Sequence, residues 1–385
     1  MHFPGLHALR FFAALAVVVA HIELMKSYYG VPSLAGHMAI YELGRIAVTF
    51  FFVLSGFLIT FLLLRERRDT GVIAVRKFYM RRILRIWPLY YLVVFLAFVV
   101  LPRIESLSIP ALSTASADQG PVLGLFLLFM PQVALIFYPP FPYAEPLWSI
   151  GVEEQFYLLW PLLLARARNT MAVAVTIAVA GFAIKAGALL YAMRLRDPSR
   201  LAFWNHFIDY FYFNRFECMA IGACGACLVF AKQERVLRVL FSTPLQVVSY
   251  AVAVALLMTT RGKPILQYTP HSVVFCIIIM NIAANESSLL KLRAPFYTRL
   301  GNISYAMYLL HEVAIGAVMR LIRAAGVSEP GVAANAALYF GGITATLVLA
   351  AVAYRFFELP FLRLKDRYTV IGSGPDRKPG IRPEE

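Results

Sequence analysis

The sequence predicts an all-α protein, a polytopic membrane helix bundle of ten transmembrane helices plus one re-entrant or interfacial segment, and three observations carry that prediction. The first is composition. Of 385 residues, 60% are hydrophobic, 14% are aromatic and only 15% are charged, with a mean hydropathy of +0.70, well beyond a soluble globular domain. The second is run length. Apolar stretches near 8–28, 44–64, 84–102, 147–165, 171–192, 215–231, 243–260, 268–285, 302–322 and 334–357 each approach the ~20 residues that a helix needs to cross about 30 Å of hydrocarbon. The third is the placement of basic residues. With ten spans, loop Lys and Arg number 22 on the side of the N-terminus and eight on the other, the bias expected of cytoplasmic loops.

Taken in order, the first run is too long for a signal-peptide core and lacks a small-residue cleavage site, so it stays as a span. The stretch at 121–137 is the exception among the apolar runs, because Pro131 interrupts it and Pro139, Pro140 and Pro142 follow. Counted as an eleventh span it inverts every later loop, and the tally becomes 14 against 16, which is no bias. It is therefore read as re-entrant or interfacial, beside an outward-facing cavity that covers its backbone, and both termini as cytoplasmic. Residues 1–365 form one membrane domain. Residues 366–385, polar and rich in Gly and Pro, are expected to be a disordered cytoplasmic tail. No fixed-period repeat is present.

The net charge of +15 does not indicate nucleic acid, since the basic residues lie in short clusters between apolar runs, as membrane anchors do. Cys218, Cys224, Cys227 and Cys276 all fall inside apolar segments. No disulfide framework is implied, and Cys224 with Cys227 reads as core packing. No metal site is expected.

Polar residues inside spans are costly and mark candidate sites. Arg10 and His21 are eleven residues apart, about 20° from three full turns and roughly 16 Å along one helix face. In LWSIGVEEQFYLLWP, Glu153 and Glu154 lie one to two turns in from the outer end, the depth estimated for His21. A carboxylate there would fix the imidazole tautomer and stabilise the imidazolium formed on proton uptake. Adjacent residues point about 100° apart, so one glutamate is expected to face His21. Arg81, Arg82 and Arg85 fan over one side of a helix start, as membrane anchors or as guanidinium forks for phosphate. Ser55 and Gly56 permit close backbone approach. Arg45, Lys185, Arg215 with Glu217, His311 with Glu312, and Arg355 with Glu358 are further buried polar groups, read mainly as structural pairs. Lys185 is expected to face the bundle interior or a cavity.

Five of these segments together resemble the acyltransferase 3 family of bacterial integral membrane O-acyltransferases. LHALRFFAALAVVVAHI is similar to its Arg, ten residues, His signature. FFVLSGFLIT, RRILRIWPLYY, LWSIGVEEQFYLLWP and GNISYAMYLLH resemble four further motifs in order, with Gly151 the one departure. The resemblance implies an O-acetyltransferase of the bacterial inner membrane, in stand-alone form without a fused soluble domain. Its donor would be acetyl-CoA, or another acyl-CoA, from the cytoplasm. Its acceptor would be an extracytoplasmic or lipid-linked glycan of the exopolysaccharide or O-antigen type. His21, with Glu153 or Glu154, would be catalytic. Arg10, Ser55, Gly56, Arg81, Arg82 and Arg85 would hold the acyl-CoA, and Trp148, Tyr157, Tyr305 and His311 would contact substrate. The rival from another class is a polytopic transporter or flippase, which predicts two similar halves that the sequence lacks.

Overall fold

The computed structural model describes residues 3–35, 38–112, 119–259, 265–325 and 331–370, and all regular structure among them is helical. In chain order the helices are α1 (Gly5–Tyr28), α2 (Met38–Thr70), α3 (Val75–Phe95), α4 (Gln119–Leu127), α5 (Pro131–Phe137), α6 (Leu147–Arg166), α7 (Thr170–Ala192), α8 (Pro198–Phe213), α9 (Phe216–Phe230), α10 (Glu234–Leu240), α11 (Thr243–Thr259), α12 (Tyr268–Ala284), α13 (Pro295–Ala324), α14 (Val332–Ala353) and α15 (Leu359–Lys365).

Each of the ten apolar runs lies on a helix. Seven helices are long and apolar enough to cross a membrane, and the bent pair α10–α11, at 56°, makes an eighth. That is fewer than the ten expected. The shortfall lies in α12, which has 17 residues, and in α6, whose hydropathy is lowered by Glu153 and Glu154.

The 121–137 stretch breaks where its prolines dictate. α4 and α5 have nine and seven residues, too short to cross at about 1.5 Å per residue. Phe129 between them adopts a left-handed φ of 56°. Carbonyls at the break are taken by side chains: Tyr90 donates to Phe126 O (2.7 Å), Tyr91 to Leu127 O (3.1 Å) and Gln155 Nε2 to Phe129 O (2.9 Å). At Gly151 a Cβ would lie 2.7 Å from Pro131 Cδ and 2.8 Å from Phe129 O. The glycine that departs from the family pattern is thus what lets α5 settle on α6.

α2 is the most enclosed span, α7 and α14 among the most peripheral. α2 and α9 interlock through glycine: a Cβ on Gly56 would strike the Met219 carbonyl, and one on Gly222 the Val53 carbonyl. Such close approach is how helices gain van der Waals contact where lipid removes the hydrophobic drive.

The buried charges choose partners across helices, and this corrects two expected pairs. Glu217 bonds Lys185 of α7, both side chains almost wholly buried. Arg215 instead donates to Thr49 Oγ1 (2.7 Å) and the Arg45 and Tyr212 carbonyls, with its guanidinium 3.5 Å from the Tyr268 ring centroid. Glu358 pairs with Arg85 (3.2 Å), whereas Arg355 lies over the Phe356 ring. In both cases the sequence neighbour on the same helix loses to a partner on a packed one. Beyond α15, Asp366–Tyr368 add a helical turn, and the Tyr368 carbonyl accepts from Arg81 (3.0 Å). The helical bundle therefore runs past the boundary expected at Lys365, and the rest of the expected tail, 371–385, lies outside the described residues.

Candidate active site

α1 and α13 lie side by side, and with α2, α3, α6 and α15 they enclose a cavity of about 620 Å³. One end is basic. There Arg363 and Lys365 of α15, with Asp366, join Arg82 and Arg85 of α3 and Arg10 of α1. The middle is apolar on the α2 side, with Leu54, Leu58, Ile59 and Leu62, and polar on the α6 side. The far end is lined by Phe51, Ile150, Ser149 and Tyr308.

The arginines differ in how far the protein satisfies them. Arg81 points away from the cavity and is held by Glu66 Oε2 (2.9 Å) and the Tyr368 carbonyl. Arg85 faces the cavity but is paired with Glu358, its guanidinium 5.4 Å from the Tyr305 ring centroid. Arg82 has only aromatic faces, Phe78 at 5.7 Å and Tyr157 at 5.9 Å, and its buried Nε has no hydrogen-bond partner among the described residues. Of the three α3 guanidiniums, Arg82 is therefore the freest to bind a ligand in the cavity.

On the α6 wall, Tyr157 donates to Glu153 Oε2 (2.9 Å) and its hydroxyl also bonds Ser55 Oγ. Glu154 points elsewhere, accepting from the Trp87 indole (2.8 Å). The two glutamates diverge, as the 100° between neighbours requires.

Beyond Tyr308 lies a second cluster. His21 Nε2 is 3.8 Å from Glu312 Oε1 of α13, an ion-pair separation too long for a hydrogen bond. The His21 and His311 rings meet edge to face at 4.7 Å. His21 Nδ1–H donates to the Val17 carbonyl (3.0 Å) and His311 Nδ1–H to that of Tyr308 (2.7 Å). Carbonyls only accept, so both rings carry Nδ1–H and leave Nε2 basic when neutral. Glu312 is buried, and Glu145 accepts from Tyr28 (3.1 Å).

The carboxylate facing His21 is thus Glu312, and neither α6 glutamate. The depth estimate erred because α6 begins deeper than a surface helix start. Tyr308 donates to the Pro146 carbonyl (3.0 Å) just ahead of α6, and its hydroxyl is 2.7 Å from Ser149 Oγ. The first turn of α6 is already level with Tyr308. Glu153, a turn further, falls to the layer of Ser55 and the cavity, while on antiparallel α13 Glu312 lies a turn beyond Tyr308.

Of the expected site residues, Arg10, Ser55, Arg82, Arg85, Glu153, Tyr157 and Tyr305 meet in the cavity, and His21 with His311 in the second cluster. Four do not join them. Gly56 packs on α9, Arg81 serves Glu66, Glu154 serves Trp87, and Trp148 meets Phe52 and Phe213 edge to face and lies against the Arg215 guanidinium. Glu312, Tyr308 and the α15 cations were not picked out as site residues. A stripe on α13 carries the missing signal: Gly301, Tyr305, Tyr308 and Glu312 recur at four, three and four residues, one face of a helix. Among the described residues, His21, His311 and Glu312 are the one group with metal-ligand character. Their ligand atoms spread over up to 4.8 Å, wider than the ~3.3 Å between ligands that tetrahedral zinc distances imply.

The model of a family described as an acyltransferase domain matches residues 3–355. Acyltransferase MdmB of Streptomyces mycarofaciens is 27% identical, the alignment covering 97% of this chain and 95% of that protein. A Staphylococcus aureus protein provisionally named an O-acetyltransferase is 24% identical over 94% of this chain, which spans 57% of its length. YrhL of Bacillus subtilis, provisionally named a peptidoglycan O-acetyltransferase, is 31% identical over 52% of this chain, which spans 30% of it. No solved structure matches. The chain belongs to the acyltransferase 3 family and is an enzyme that transfers acyl groups.

Proposed function

We propose that this enzyme is an O-acetyltransferase that moves an acetyl group from cytoplasmic acetyl-CoA to a hydroxyl of an extracytoplasmic or lipid-linked glycan. One observation carries the reading: a single cavity is lined by a cluster of guanidinium and ammonium groups and also by Tyr308, whose ring lies 6.1 Å from that of His311 in the histidine–glutamate cluster. Phosphates suit the basic end, since guanidinium forks bind their oxygens. The pantetheine arm then lies along Leu58, Leu54 and Phe51, which brings the thioester to Ser149 and Tyr308.

The acceptor approaches His21 from the other side. His21 Nε2 takes the hydroxyl proton as its oxygen attacks the thioester carbonyl, and Glu312 stabilises the imidazolium. Collapse of the adduct expels the thiolate, which takes that proton to leave as free CoA. No enzyme nucleophile is needed.

The topology follows the same reading. α6 and α12 count as internal spans, their polar or short character tolerated by burial, which restores ten. α4–α5 is the re-entrant pair, and the basic end faces the cytoplasm of a bacterial inner membrane. Family membership speaks against the transporter alternative.

The test is acceptor-dependent release of CoA thiol by purified protein in detergent. Wild type should release it, and His21→Ala should lose about 10²–10⁴-fold in rate while inserting normally. A variant that keeps more than about a tenth of the rate would contradict the base role.

A further inference from the structure

The far end of the cavity carries two hydroxyls that no motif role accounts for. Ser149 and Tyr308 are each 5% exposed, and both line the cavity at its far end from Arg363 and Lys365. Their oxygens are 2.7 Å apart. Both also face the Pro146 carbonyl, Tyr308 at 3.0 Å and Ser149 at 3.4 Å. Three oxygens are joined by three contacts, yet the two hydroxyls supply only two protons. One contact is therefore always unfilled, and the 3.4 Å one is weak. The two protons therefore fill the 3.0 Å and 2.7 Å contacts, and each can turn to another acceptor only by giving up that bond.

Tyr308 also bridges the two compartments. Its hydroxyl reaches the cavity, its ring lies 6.1 Å from the His311 ring, and its carbonyl fixes the His311 tautomer. A carbonyl at that end of the cavity meets these hydroxyls, with the His21 layer on their other side. The neighbours there, Phe51 and Ile150, carry no side-chain donor, and Glu153 is acidic and already accepts from Tyr157.

We propose that Tyr308 and Ser149 are catalytic residues forming the oxyanion-binding pair of the transfer reaction, donating to the thioester carbonyl oxygen as it becomes negative. This rests on the reading of His21 as base. The acceptor oxygen forms its bond to the carbonyl carbon while its proton goes to His21 Nε2, and the carbonyl π pair moves onto oxygen. The Tyr308 hydroxyl swings from the Pro146 carbonyl, and that of Ser149 from the Tyr308 oxygen, onto that oxyanion without giving up their protons. The electron pair then returns, the C–S bond breaks, and the CoA thiolate takes the proton from His21. Donors aimed at a developing charge in a water-poor site stabilise the transition state more than the ground state.

The experiment compares Tyr308→Phe, Ser149→Ala and the double variant with His21→Ala, measuring kcat, KM and direct acetyl-CoA binding in detergent. Each single variant should lose about 10²–10³-fold in kcat with acetyl-CoA affinity within about twofold of wild type. The double variant should lose less than the product of the two, because the residues act on one oxygen. If Tyr308→Phe does not fold, as lost acetyl-CoA binding would reveal, Ser149→Ala decides alone. Near-wild-type kcat in a folded variant beside an inactive His21→Ala overturns the oxyanion pair and leaves the base reading standing. An active His21→Ala removes the base reading itself.

Discussion

The arginine-lined cavity and the histidine–glutamate cluster above it solve opposite problems with buried charge. In the cavity, Arg82 has aromatic faces but no hydrogen bond to its buried Nε among the described residues, and Arg85 shares a single carboxylate. In the cluster, both imidazoles are tied through Nδ1 to backbone carbonyls and Glu312 closes against His21. A charge in a span is stable only when something compensates it. Where the protein supplies that compensation, the group is oriented in advance. Where it supplies little, the site is complementary to an incoming charge. Protein partners thus sort charges that motif membership treats alike, and the arginine triad shows it: Arg81, Arg82 and Arg85 fall into three different situations within two turns of one helix.

The largest effect expected from this sorting is on stability. Lys185→Ala leaves Glu217 buried without a cation, and removing one partner of a buried pair costs about 3–5 kcal/mol. Thermal unfolding in detergent should show that loss, while the acetyl-CoA KM of surviving protein stays at the wild-type value. A changed KM would mean that Lys185 communicates with the cavity. Next comes Arg82→Lys, which replaces a fork with a point charge. At about 1–3 kcal/mol for a charge-assisted hydrogen bond, the acetyl-CoA KM should rise roughly five- to 150-fold, with the acceptor KM unmoved. Arg81→Lys should do least, at most about 1 kcal/mol of stability from its ion pair, with both KM values unchanged. Equal kinetics for Arg81→Lys and Arg82→Lys would erase the distinction between partnered and unpartnered guanidinium.

Much of this organisation was legible in the residues. Hydropathy located α1, α2, α3, α6 and α13 but not α15, and the eleven-residue spacing of Arg10 and His21 set them in the cavity and in the layer above it. The proline break at 121–137 was equally readable, because backbone rules act locally. What stayed hidden depended on relative depth between helices far apart in sequence. Glu153 and His21 were matched by counting from apparent span ends, and α6 starts at the Tyr308 level instead. Glu312 was masked by its neighbour His311, since an adjacent pair on one helix reads as self-contained when both in fact converge on α1. Gly56 and Trp148 belong to a motif for packing reasons, against Met219 and Arg215, which no one-dimensional pattern separates from ligand contact.

The central claim, that donor binding and proton removal are divided between the two regions, is tested most directly by the kinetic constants of Glu312→Gln. The substitution keeps the shape and removes the charge that stabilises the imidazolium. The account predicts a kcat lower by about 10²-fold or more with an acetyl-CoA KM within about twofold of wild type. A raised acetyl-CoA KM with kcat preserved would place Glu312 in donor binding and contradict the division.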